Sequence, residues 1–193
     1  MKEIIFSTGN ETKFQNGKAV CDQFGVNLVQ KPLKIDEIQD TNPEYIITDK
    51  AKRAFELTGR PVIVSDDSWD IPGLNGFPGA YMKSMNEWLA PGDFVNLTKS
   101  LTDRRIFLHA RLVFADSKTI KLFSSTFEGY LLKEPRGEYG PPSQKIISLQ
   151  GDNDLSIAEV HDKNLHTNGR EVHKIWDEFC NWYLDYRPTE TEK

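Results

Sequence analysis

Apolar and polar positions change period several times along this chain, and each change marks an element. Ile4-Ile5-Phe6 is a short unbroken apolar run, the pattern of a strand buried on both faces. Thr8-Gly9-Asn10 interrupts it, and Phe14, Gly17, Cys21 and Phe24 then recur on one face of a predicted helix. Val26-Asn27-Leu28-Val29 predicts a second strand, followed by a polar loop through Ile35-Asp36-Glu37-Ile38-Gln39-Asp40. Asn42-Pro43-Glu44 opens a helix with proline in its first turn, a favoured start. Its apolar face carries Ile46, Ile47, Ala51, Ala54 and Phe55, with Lys50 at the margin and Gly59 closing it. Pro61-Val62-Ile63-Val64 predicts another buried strand, ending at Ser65-Asp66-Asp67-Ser68.

A loop rich in glycine and proline covers residues 72–81, and two short helices are expected around Met82 to Leu89 and Asp93 to Leu101. Arg105 to Ala115 and Thr119 to Phe127 then read as strands joined by Asp116-Ser117-Lys118, an antiparallel hairpin. A final helix is expected from about Glu171 to Tyr186, with Val172, Ile175, Trp176, Phe179 and Tyr183 toward the core. No repeat or linker divides the chain. The order predicts a mixed α/β fold with a long central sheet and helices at both ends.

Composition narrows the function classes. At 193 residues the chain is long enough for one domain with a real core, or for two lobes around a cleft. A net charge of −5 is the wrong sign for nonspecific nucleic-acid binding, which needs a basic field, yet leaves room for a small anionic ligand held by local lysines. No stretch approaches the length of a membrane span. A strand starting at residue 2 or 3 leaves no room for a removable leader, so a cytoplasmic location is expected. Cys21 and Cys180, on apolar helix faces and outside any CxxC spacing, are expected to be buried reduced thiols. The polar stretch 188–193 is expected to form a tail outside the domain of residues 1–187.

The strand–Gly–helix turn at Thr8-Gly9-Asn10 places free backbone N–H groups and the positive end of a helix dipole together, with Lys13 one turn in; this suits a phosphate. On the residues alone it also fits a simple N-cap at Asn10. Glu37, Asp66 and Asp67 are the matching acidic positions. Carboxylates near strand ends hold a hard divalent cation, and Mg²⁺ typically takes only one or two of them plus water and phosphate oxygens. Asp66-Asp67-Ser68 equally fits a solvated turn, and Lys50 and Lys83 equally fit surface lysines. The histidines 109, 161, 166 and 173 show no zinc-site spacing. GxSxG and GxxxxGK[ST] motifs are absent, against a hydrolase triad or a P-loop.

Taken jointly, these blocks resemble the inosine triphosphate pyrophosphatase family, enzymes that hydrolyse non-standard purine nucleoside triphosphates. Ser7-Thr8-Gly9-Asn10-Glu11-Thr12-Lys13 is similar to the family's (S/T)GNxxK signature. Glu37-Ile38-Gln39 resembles its acidic segment, and Lys50-Ala51-x-x-Ala54 its KAxxA helix. Val64-Ser65-Asp66-Asp67-Ser68 matches V-x-D-D-S, and Gly76-Phe77-Pro78-Gly79-Ala80-Tyr81 matches G-x-PG-x-Y. The resemblance implies an elongated, twisted mixed sheet with helices on both sides and two lobes around a central cleft, as a homodimer. It implies Mg²⁺, with Mn²⁺ as a substitute, held by Glu37 and Asp67. Asp67 would orient or deprotonate the attacking water, supported by Asp66. Thr8, Gly9, Asn10, Lys13, Lys50, Ser68 and Lys83 would bind the triphosphate.

The C-terminal half departs from the family pattern. Glu134-Pro135-Arg136-Gly137 and Ala158-Glu159-Val160-x-x-Lys163-Asn164 resemble family segments. A GFGYDP-like run, however, is replaced by Gly137-Glu138-Tyr139-Gly140-Pro141-Pro142-Ser143, and an SHR triplet by His166-Thr167-Asn168-Gly169-Arg170. Tyr139, Lys163 and Arg170 are the residues that the resemblance leaves for the base. Phosphate and metal positions are kept while base positions are altered, so two outcomes are open: hydrolysis with a changed base preference, or nucleotide binding without catalysis.

Overall fold

A computed structural model describes residues 2–165 and 172–187 of the chain. Its centre is one mixed seven-stranded sheet. Strand β1 (Lys2–Ser7) lies between two parallel neighbours, β2 (Val26–Gln30) and β3 (Val62–Asp70). Beyond β3 the sheet continues antiparallel through β5 (Arg105–Ala115), β6 (Ile120–Leu131) and β7 (Ile147–Leu149). The two-residue β4 (Pro78–Gly79) pairs with the far end of β3. Helices α1 (Glu11–Gln23), α2 (Pro43–Thr58), α3 (Met82–Trp88), α4 (Pro91–Thr98), α5 (Ile157–Asp162) and α6 (Val172–Asp185) complete the fold. Among the described residues no helix is long and apolar enough to cross a membrane.

Strand alternation distributes the helices over both faces. Ile63 joins Phe6, Phe114, Val20 and Cys21 of α1 and Ile175, Trp176 and Phe179 of α6 in one buried cluster. Its neighbours Val62 and Val64 point the other way, onto Ile47, Ala51 and Ala54 of α2. A third cluster, with Ile71, Met82, Met85, Phe94, Ile106, Leu131 and Ile146, forms a second lobe at the other end of the sheet. Gly17 is where α1 meets α6: a Cβ there would lie 2.4 Å from the Trp176 ring. Cys21 and Cys180 are free, buried thiols with their sulfurs 3.7 Å apart.

The helix ends follow the local sequence. Asn10 Oδ1 accepts from the Lys13 N–H at 3.0 Å, and Asn42 Oδ1 from the Glu44 N–H at 3.0 Å. Gly59 ends α2 in the left-handed region at φ 61°, where a Cβ would be strained.

Several boundaries differ from the sequence reading. The strand expected to stop at Val64 runs on to Asp70, because β5 pairs with it throughout, Asp66 opposite Arg111 and Ser68 opposite His109. That ladder satisfies backbone groups wherever the side chains are polar, and it overrides the turn tendency of Asp-Asp-Ser. Helix α4 starts at Pro91 rather than near Asp93, and β6 continues to Leu131 because β7 pairs with its last residues. Helix α5 was not expected. Its signal is a capping box: Ser156 Oγ accepts from the Glu159 N–H at 3.0 Å, and Glu159 Oε2 from the Ser156 N–H at 2.9 Å. The expected polar tail lies outside the described residues.

Candidate functional site

A gap along one edge of β3 creates the site. Ser7, the last residue of β1, pairs with Val64, whereas β4 first meets β3 at Trp69. Between these contacts Ser65, Asp66, Asp67 and Ser68 are hydrogen-bonded to β5 on one side only. A cavity of about 620 Å³ opens beside that free edge. The end of β1 and the start of α1 line it through Ser7, Thr8, Gly9, Asn10 and Lys13. The loop after β2 contributes Leu33, Ile35, Glu37, Ile38 and Gln39; α2 contributes Ile46 and Lys50; the second lobe contributes Tyr81, Lys83, Ser84 and Glu87.

Because the cavity sits at a strand edge, it receives side chains from both faces of the sheet. Asp67 points toward α1, where its Oδ2 lies 2.8 Å from Lys13 Nζ. Asp66 points toward α2 and feels the charges of Lys50, Lys13 and Glu37. Lys50 Nζ is paired with Glu37 Oε1 at 2.5 Å. Burial raises the Asp66 carboxyl above its ordinary range; Glu37 adds to the rise, and the two lysines together with the Asp67 backbone N–H oppose it. Ser65 Oγ is buried without a hydrogen-bond partner among the described residues. Such an orphan hydroxyl in a cavity floor is a vacant contact for a polar ligand.

The donor set also indicates which cation fits. Among the described residues no three His, Cys, Asp or Glu side chains are close enough to hold a metal by themselves. Carboxylates and a hydroxyl at an open cavity suit a hard divalent ion that completes its shell with water and ligand oxygens, and the lysines beside them suit an anionic ligand.

The Ham1 family model matches residues 4–168 of the chain, a span that includes every wall of this cavity. The chain belongs to the Ham1 family. It is similar to the dITP/XTP pyrophosphatase of Methanosarcina acetivorans, 28% identical over 186 residues that cover 95% of this chain and 98% of that protein. Similarity to the dITP/XTP pyrophosphatase of Vibrio cholerae is 29% over 191 residues, 91% of this chain and 96% of that one. In architecture it resembles the HAM1 protein from Coxiella burnetii with a TM-score of 0.78 at 17% identity, over 96% of this chain and 100% of that one. For the Ham1 protein of Staphylococcus aureus the TM-score is 0.75 at 19% identity, over the same shares of each chain.

Within this Ham1 chain, Thr8, Gly9, Asn10, Lys13, Glu37, Lys50, Asp66, Asp67 and Lys83 all come together at the cavity. Thr8 Oγ1 accepts from the Asn10 N–H at 3.1 Å, which shapes the turn before α1, while the Asn10 side chain serves as the helix cap. Ser68 departs from expectation. It is 2% exposed, accepts a 2.7 Å hydrogen bond from Arg111 Nη1 and does not line the cavity. It shares the face of Asp66, but there it is buried beneath Arg111 and bound to it.

Two of the three residues expected at the base, Tyr139 and Lys163, lie elsewhere. The Tyr139 ring stacks on His161 at 4.3 Å and 21°, and the Glu138 and Tyr139 N–H groups donate to the Asp162 carboxylate. Lys163 Nζ lies 3.9 Å from Glu159. Neither Tyr139 nor Lys163 lines the cavity, and Arg170 falls outside the described residues. Ser65, Gln39, Tyr81, Ser84 and Glu87 also line the cavity, beyond the residues expected there. Ser65 was legible from alternation, being two residues from Asp67; the others reach the cavity only through tertiary packing. Tyr81 Oη donates to the Asp40 carbonyl at 3.2 Å, tying the second lobe to the acidic loop.

Proposed function

We propose that this chain is a divalent-cation-dependent nucleoside-triphosphate pyrophosphatase. It cleaves non-standard purine nucleoside triphosphates between the α- and β-phosphates, giving a monophosphate and pyrophosphate. One observation supports this above all: four separate segments bring Lys13, Lys50, Glu37, Asp66 and Asp67 to one cavity beside a free strand edge. The names of the similar proteins point the same way.

In this reading the turn at Thr8, Gly9 and Asn10 meets phosphate oxygens with its backbone, and Lys13, Lys50 and Lys83 neutralise their charge. Glu37 and Asp67 would hold Mg²⁺, which would supply positive charge against that developing on the phosphates. Asp67, on the cavity floor, orients the attacking water and accepts its proton; Asp66 supports it electrostatically. Ser65 offers its unused hydroxyl to the same ligand.

The experiment is a pyrophosphate-release screen over standard, deaminated and modified nucleoside triphosphates with Mg²⁺. Release from at least one of them, abolished by chelator, is the expected result. A second reading, nucleotide binding without catalysis, is favoured by one observation: Tyr139 and Lys163 stand away from the cavity. Tight binding of a nucleoside triphosphate with no release of pyrophosphate would establish it instead.

A further inference from the structure

Two of the cavity's three lysines are bound to two of its four carboxylates. Lys13 holds Asp67 at 2.8 Å and Lys50 holds Glu37 at 2.5 Å, so the groups assigned to the phosphates occupy the groups assigned to the cation. The cavity as a whole carries Glu37, Asp66, Asp67 and Glu87 against Lys13, Lys50 and Lys83, an excess of negative charge. Both pairs are partly open to solvent, with Lys13 and Asp67 about one-third exposed. Exposed pairs of this kind are weak and exchange readily for better partners.

We propose that these two ion pairs make the site accept cation and triphosphate only together, Lys13 and Lys50 acting as internal competitors of the metal. This rests on the function proposed above. A cation arriving alone at Glu37 and Asp67 must displace an ammonium group from each and then remain beside the displaced charge. A triphosphate arriving alone meets a cavity with excess negative charge and must pull the lysines from their carboxylates, leaving those uncompensated. When both arrive, each pair exchanges partners: carboxylates turn to the cation, lysines to phosphate oxygens, and the phosphates lie between the two positive groups. Coupling of this kind is reciprocal, so each ligand raises the other's affinity by the same factor.

The test measures binding, not turnover. Mn²⁺ affinity is read from the electron paramagnetic resonance signal of the free ion, with and without an α,β-methylene nucleoside triphosphate. Nucleotide affinity is measured by calorimetry with and without Mn²⁺. In the wild type, each ligand is expected to bind about 5-fold or more tightly in the presence of the other, after correction for their association in solution. Lys13→Gln and Lys50→Gln each free a carboxylate. Each is expected to bind Mn²⁺ alone several-fold more tightly than wild type, although binding of the Mn²⁺–nucleotide complex weakens. Lys18→Gln, which breaks only the surface pair with Asp22 on the same helix, is expected to leave Mn²⁺ binding unchanged. Unchanged or weaker Mn²⁺ binding in both Lys13→Gln and Lys50→Gln overturns the inference even where the wild type binds the complex. Failure of the wild type to bind the complex at all overturns the proposed function itself.

Discussion

Gly17→Ala places a methyl group where α1 packs on α6, and its consequence can be followed from the core to the site. The added Cβ would lie 2.4 Å from Trp176 Cζ2 and 2.7 Å from two further ring atoms, whereas ordinary contact begins at 3.4 Å. Relief requires about 1 Å of separation, the difference between those distances. Trp176 has little freedom to provide it. It is 3% exposed and meets Phe6 edge-on at 5.2 Å, with Phe179 on another side. Overpacking of this kind costs about 1–3 kcal/mol. Replacing a helical glycine by alanine returns roughly 1 kcal/mol through propensity. The net expectation is a loss of about 1 kcal/mol, which for a domain of this size lowers Tm by about 2–4 °C. Urea and thermal unfolding of Gly17→Ala, Trp176→Phe and the double variant measure it. The double variant is expected to be more stable than the sum of the single changes predicts, since the smaller ring makes room for the methyl. Because α1 carries Asn10 and Lys13 at its start, the same displacement is expected to raise KM for a triphosphate substrate more than it lowers kcat. Gly17→Ala as stable as wild type or more so, the result that propensity alone demands, would refute the packing argument.

Asp67→Asn keeps the shape of a half-buried side chain and removes its charge; turnover is expected to fall by about 10²-fold or more with circular dichroism unchanged. Asp66→Asn is expected to stabilise the metal-free protein at pH 7. Burial raises the carboxyl above its ordinary 3.8, so the unfolded chain releases this proton first and wild-type stability falls as pH rises through that value. The advantage of Asp66→Asn should therefore narrow as pH falls through the raised folded-state value toward 3.8 and be nearly gone below it, and an advantage independent of pH from 3 to 7, read from urea midpoints, would sink the assignment. With Tyr139 and Lys163 away from the cavity, preference for inosine triphosphate over ATP or GTP is expected to stay below about 10²-fold in kcat/KM, because shape and stacking discriminate less than a hydrogen-bonded base edge.

Much of this molecule is local in origin and was therefore legible in the sequence. The apolar run at Ile4 to Phe6, the Asn10 and Asn42 caps, the Gly59 stop and the helical stripe ending at Tyr183 each depend on residues a few positions apart. The same holds for the motif residues Lys13, Glu37, Lys50 and Asp67, whose types and spacing carried the family resemblance. Tertiary structure decided what distant segments do to one another. Asp-Asp-Ser has the composition of a turn, yet pairing with β5, about 40 residues later, makes it strand. The early end of β1 then leaves that strand one free edge, and only at such an edge do Asp66 and Asp67, on opposite faces, reach a single cavity. Ser68 continues the same motif on the face of Asp66, but burial and the bond to Arg111 keep it out of the site. Local chemistry chose the groups; long-range backbone pairing, which no short window of sequence contains, decided which of them meet.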